Sequence, residues 1–189
     1  MSVVPLLEMQ NLVAGYAGPV VGPVSFAVYP GEVLGLAGPN GAGKSTLIGA
    51  ITGTSRRFSG LITRAPGLSV AHHRQRPELP PEVPMLGREL LRLTGAETAQ
   101  PPALLQPLLD MPMARLSGGQ FQFLQAWACL AGRASLVLLD EPTNNLDQRG
   151  IDALSELLSV KRPERAVVVV SHEPDFLARH CSRIVEVHQ

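Results

Sequence analysis

Cysteine, aromatic side chains, net charge and long apolar runs are all scarce in this 189-residue chain. Its two cysteines, Cys129 and Cys181, stand 52 positions apart and form no CxxC pair. That pattern reads as two reduced, mostly buried thiols in a cytosolic protein rather than as a zinc site. Sixteen Lys and Arg against sixteen Asp and Glu leave a formal net charge of zero. A polyanion-binding protein tips that balance strongly positive, so no nucleic-acid partner is expected. No apolar run approaches the roughly 20 residues needed to cross a bilayer, and the longest β-like run is Ala166–Val170. Any work at a membrane would go through a partner. The first residues lack a basic segment followed by an apolar one, so no secretory signal is expected.

What is present is apolar bulk and backbone punctuation. Hydrophobic residues make up 45% of the chain, enough for a core, and 18 glycines with 17 prolines point to sites built from backbone. The first forty residues read as strands and turns, with Val24–Val28 alternating and Val33–Ala37 as a buried strand. Short strands are expected at 61–63 and 68–71. Prolines at 77, 80, 81, 84, 101, 102, 107 and 112 then break up a stretch in which two short helices are expected, near Gly87–Leu93 and Ala103–Leu109. Beyond it the pattern predicts a helix capped by Ser117 and running to about Gly132, strand 136–139 and a helix near 148–158. Strand Ala166–Val170, helix Pro174–His180 and strand Arg183–Val187 complete it. This alternation predicts an α/β fold of the P-loop type, a mostly parallel sheet flanked by helices. An N-terminal antiparallel β region and a small helical insert complete the expectation. It is read as one domain, with residues 1–75 and 113–189 as the core and 76–112 as the insert.

Three segments carry chemistry. Gly38, Pro39, Asn40, Gly41, Ala42, Gly43, Lys44 and Ser45 fit G-x-x-x-x-G-K-[ST], between a buried strand and a helix. Glycines let backbone N–H groups turn inward around phosphate oxygens, and the helix adds its positive end. Lys44 supplies charge for the outer phosphates, Ser45 a hydroxyl for Mg²⁺, and Thr46 a donor to an inner phosphate. The run Leu136–Leu139 ends in Asp140 and Glu141. Carboxylates at the C-terminal end of a parallel strand lie in the crevice where such sheets bind ligands. Asp140 is read as holding Mg²⁺ and Glu141 as polarising the water that attacks the γ-phosphate. Third, Ser117, Gly118, Gly119 and Gln120 open a helix with an N-cap and unobstructed N–H groups, a second phosphate-binding surface. One nucleotide does not need two such surfaces from one subunit.

With Leu116–Gln120 the sequence resembles the ATP-binding cassette ATPases, the energy-supplying subunits of ABC transporters. The resemblance runs from about residue 6 to 187. It implies a signature motif that completes the ATP site of the opposite subunit in a head-to-tail dimer. It further implies that Tyr16 stacks on adenine, and that Gln75 contacts the metal and couples the catalytic site to the membrane partner. Residues 142–147 would cross the dimer interface, and His172 would be the switch histidine at the γ-phosphate. The implied cofactors are ATP and Mg²⁺. The implied partners are a second copy, a membrane permease and, indirectly, a solute-binding protein. The implied location is cytoplasmic, on the inner face of the membrane. Within the family, residues 75–91 are most similar to the ATPases of zinc and manganese importers.

Two departures stand out. Phe123 occupies a position where the family carries arginine, and a second arginine of that helix is replaced around Trp127 and Ala128. With the short span from Lys44 to Ser117, 73 positions, they motivate an alternative. That alternative is a hydrolysis-poor regulatory or scaffold cassette; a cassette not tied to transport is a separate one, which rests on the resemblance of residues 144–147 to ribosome-associated members. His72 and His73 invite a metal site, but consecutive strand residues point to opposite faces, so they read as ordinary strand histidines. His180 and His188 read as surface residues.

Overall fold

The computed structural model describes residues 3–74 and 85–188. In chain order the strands are β1 (Leu7–Gly15), β2 (Pro19–Val28), β3 (Val33–Ala37), β4 (Arg56–Arg64), β5 (Val70–His73), β6 (Leu136–Asp140), β7 (Ala166–Val170) and β8 (Arg183–Glu186). The helices are α1 (Lys44–Thr52), α2 (Gly87–Thr94), α3 (Gly118–Ala131), α4 (Gln148–Ser159) and α5 (Pro174–His180). Strands β2, β1 and β4 form an antiparallel sheet in that order. A five-stranded sheet has the order β5-β6-β7-β3-β8, and every pair in it is parallel. The expected α/β architecture is therefore present, with its antiparallel region at the N-terminal end of the chain.

The parallel sheet is buried on both faces, which is why β6 and β7 read as unbroken apolar runs rather than alternating ones. Leu136, Leu138, Val168 and Val170 join a core with α1 and the antiparallel sheet. Val137, Leu139, Val167 and Val169 face the other way, into a core built on α3, α4 and α5. Phe123 and Trp127, 1% and 2% exposed, belong to that second core. Where the resemblance led one to expect cations, this helix packs apolar rings instead. The C-terminal carbonyls of α3 find a cation elsewhere, because buried Arg165 donates to Leu130 O and Gly132 O.

One expected helix is not formed. Residues 103–109 hold only turns and a single 3-10 turn at Gln106–Leu108. Pro107, inside this stretch, lacks the N–H a helix would need there and its ring crowds the carbonyl four residues before it. Leu105 and Leu108 still bury their side chains against α3. β5 begins at Val70, two residues later than position 68. His180 is not a free surface residue: its ring stacks on Phe176 at 4.7 Å between centroids, while His188 is exposed.

Candidate functional site

Register brings the chemistry to one end of the sheet. Asp140 pairs with Val170 across β6 and β7, and Leu36 pairs with Val170 across β3 and β7. The chain therefore leaves three neighbouring strands at nearly the same level. From β3 it enters the Gly38–Ser45 loop, from β6 it reaches Glu141, and from β7 it reaches Ser171 and His172. These segments surround a cavity of about 550 Å³, lined by Asn40, Gly41, Gly43, Lys44, Ser45, Thr46, Glu141, Asn144, His172 and Val20.

The loop's shape follows from its residue types. Gly43 caps α1 at φ 92°, in the left-handed region. A Cβ there would lie 2.5 Å from the Cβ of buried Val21. The β2 strand thus holds the loop from behind. Lys44 is 6% exposed, and its Nζ donates to the carbonyls of Gly38 at 2.7 Å and Pro39 at 3.0 Å. Ser45 Oγ donates to Asp140 Oδ1 at 3.2 Å, joining the loop to the end of β6. Burial pushes the Asp140 carboxyl up and the Glu141 charge adds to this, while the Ser45 hydrogen bond and Lys44 oppose it. A hydroxyl and a carboxylate oxygen this close are hard donors of the kind Mg²⁺ takes.

Glu141 is 6% exposed and sits at φ 49°, a strained conformation for a residue with a Cβ. Its backbone N–H is held by Val170 O at 2.9 Å. Its Oε2 lies 2.8 Å from His172 Nδ1. A second tie joins the same two loops, from Thr143 Oγ1 to Glu173 Oε1 at 2.6 Å. Thr143 and Glu173 carry a connection that the sequence reading missed. Their positions beside Asn144 and His172 were the only signal for it.

Ser117 caps α3 and forms a capping box with Gln120. Its N–H donates to Gln120 Oε1 at 3.0 Å, and Gln120 N–H donates to Ser117 Oγ at 3.3 Å. Ser117, Gly118, Gly119 and Gln120 do not line the 550 Å³ cavity. Gly119 instead approaches residue 145 so closely that a Cβ would lie 2.3 Å from Asn145 O. Tyr16 is 58% exposed in the turn between β1 and β2, also away from the cavity lining. Gln75 lies outside the described residues. His72 pairs with Leu138 and His73 with Leu139, on alternate faces of the sheet. Among the described residues no His, Cys, Asp and Glu cluster of metal-binding size occurs.

A sequence model of the family described as "ABC transporter" matches residues 21–144, about two thirds of the chain. The chain belongs to the ABC transporter family. It is similar to the zinc import ATP-binding protein ZnuC of Paracoccus denitrificans, 38% identical over 96% of this chain and 75% of that protein. The protein of the same name from Yersinia pestis is 37% identical over 98% of this chain and 77% of its own length. A solved structure, described as the ATP binding subunit of an ABC transporter, superposes with a TM-score of 0.80 at 28% identity. It covers 97% of this chain and 86% of that one. This ABC protein binds ATP and is an ATPase. Among the described residues, no helix is long and apolar enough to cross a membrane.

Proposed function

We propose that this ABC ATPase hydrolyses ATP as one half of a head-to-tail dimer and thereby powers import of a metal ion, zinc first, through a membrane permease. The observation that carries the catalytic part is the convergence of Lys44, the Ser45–Asp140 pair and the Glu141–His172 pair on one cavity. The Gly38–Ser45 amides and Lys44 bind the phosphates. Asp140 and Ser45 supply the oxygens that would hold Mg²⁺, which when bound offsets charge on the phosphate oxygens. Glu141 accepts a hydrogen bond from the attacking water and orients it toward the γ-phosphate. His172 fixes the Glu141 carboxylate and contacts the same phosphate.

Ser117–Gly119 do not line this cavity in one chain, which supports their use by a second copy. In that arrangement residues 142–147 lie at the interface, and Tyr16, exposed on its turn, meets the adenine. Gln75 is proposed to link the catalytic site to the permease, with residues 76–112 as a reduced helical subdomain inserted in the core. The zinc reading rests on the names of the curated relatives. Attachment to the inner face of the membrane through the permease follows from the same reading.

Glu141→Gln tests the mechanism. ATP affinity should be retained, phosphate release should fall by about two orders of magnitude or more, and a dimer should accumulate in ATP. Unchanged turnover would remove Glu141 from its role. Zinc is tested separately, by growth under chelator of a strain lacking its own zinc-import ATPase and supplied with this chain and its genomic permease. Growth that depends on intact Lys44 supports zinc, and rescue by manganese alone overturns it.

A further inference from the structure

A second cavity, of about 520 Å³, lies at the opposite end of the parallel sheet, where β3 and β7 begin rather than where they end. Its accessible apolar wall is formed by Ala131 of α3 with Leu157 and Val160 at the end of α4, over the buried side chains of Trp127 and Leu130. Around it stand four cationic side chains, Lys161, Arg162, Arg165 and Arg179. In a chain with equal numbers of positive and negative side chains, this is a concentrated imbalance.

The negative groups nearby do not cancel it. Glu32 is the one carboxylate in the lining, and it is engaged by Arg183 at 3.2 Å and by the Tyr29 N–H at 2.8 Å. Glu164 offsets part of the charge at Arg165. The C-termini of α3, α4 and α5 also end here, and helix ends attract cations. Arg165 serves that purpose, donating to Leu130 O and Gly132 O. Arg179 stands in the last turn of α5 and complements that helix end, and among the described residues Lys161, Arg162 and Arg179 are in no ion pair with a carboxylate. Three exposed cations stand around a hollow of mixed polar and apolar lining, of the size that small organic ligands fill.

We propose that this cavity binds a soluble organic anion. Its apolar body lies against Ala131, Leu157 and Val160, close over buried Trp127, and its carboxylate, sulfonate or phosphate is met by Lys161, Arg162 and Arg179. The site is separate from the ATP site, and it lies at the far ends of α3 and β7, which at their other ends carry Ser117 and lead to His172.

The probe is 8-anilinonaphthalene-1-sulfonate, an acidic group on an apolar ring system, titrated into the whole chain. Binding should be saturable, weakened by salt and indifferent to saturating ATP. It should quench emission from Trp127, the one tryptophan of the chain. Reversing two exposed charges, Lys161→Glu with Arg162→Glu, should weaken it by about ten-fold or more. The circular dichroism spectrum and ATP affinity should stay unchanged. Arg179→Glu is a second, single-site variant with the same expected loss, and Arg56→Glu with Arg57→Glu on β4 should bind normally. Equal binding by both cavity variants, or displacement of the probe by ATP, overturns the proposal. In a parallel arm the protein is sedimented with phosphatidylglycerol vesicles. If the cavity variants lose vesicle binding yet keep the probe, the patch is a membrane contact and the cavity assignment is wrong.

Discussion

Gly43 shows how a single residue type can be required twice. Its φ of 92° is costly for any side chain, and the space a Cβ would take is already filled by Val21. Gly43→Ala should lose ATP binding and destabilise the fold by about 2 kcal/mol, measured by nucleotide titration and by urea unfolding. The motif made this glycine legible, whereas nothing in the sequence marked Val21 as its support. His73 is the opposite case, a polar residue with no motif around it. It is 1% exposed, and burial holds its imidazole down at about 4 against an ordinary value of 6.5, with the neighbouring His72 lowering it further and Gln122 opposing. The unfolded chain therefore takes up a proton at His73 before the folded one does. The stability this contributes is complete above about pH 6.5 and is lost as the pH falls toward 4, on the order of 3 kcal/mol in full. His73→Gln, which keeps a group able to face Gln122, should flatten the fall in urea midpoint between pH 7 and pH 5. A variant that loses stability on acidification as steeply as the parent would show that His73 is not the group responsible.

The elements were readable wherever a local rule and the tertiary structure agreed. α3 begins at its Ser117 cap because Ser-x-x-Gln is a capping box, and β6 and β7 are continuous apolar runs because both of their faces are covered. Residues 103–109 keep helical apolar spacing without a helix, because Pro107 removes an interior hydrogen bond. The connection between the loops after β6 and β7 was not legible at all, since it joins residues 30 apart. Thr143–Glu173 and Glu141–His172 stitch those loops together at two points, 2.6 and 2.8 Å long. Glu173 is further set by its own N–H, which donates to fully buried Ser171 at 3.1 Å. We predict that Thr143→Val and Glu173→Ala each lower kcat for ATP by about ten-fold with little change in KM, and that the double variant is no worse than either single one. That coupling, about 1–2 kcal/mol, is what a hydrogen bond to a charged group supplies. Glu173→Gln retains an acceptor oxygen and should recover most of the loss. Additive effects in the double variant would mean that the two side chains act independently of their contact.

At the scale of the molecule, one chain places its two amide-rich surfaces in different settings. The Gly38–Ser45 loop lines the 550 Å³ cavity, while Ser117–Gln120 lie beside Asn145 and outside it. Both surfaces were visible as sequence motifs, but their separation depends on the strand order β6-β7-β3 and could not be read from spacing. If the Ser117–Gln120 surface of one copy serves the nucleotide held by the Gly38–Ser45 loop of the other, damage to the two should complement between chains. Lys44→Ala removes the charge proposed to bind phosphate and leaves Ser117 intact, whereas Ser117→Arg blocks the capping surface and leaves Lys44 intact. Each variant alone should be inactive in phosphate release. A mixed dimer contains one doubly damaged site and one site with both surfaces whole. If subunits exchange freely, half of the dimers in an equal mixture are mixed, so turnover per chain should recover to at most about one quarter of the parent's. The recovery should scale with the product of the two concentrations, because only mixed pairs are productive. An equal mixture that stays as inactive as its components would show that the two surfaces act within a single chain, and the head-to-tail dimer would fall with it.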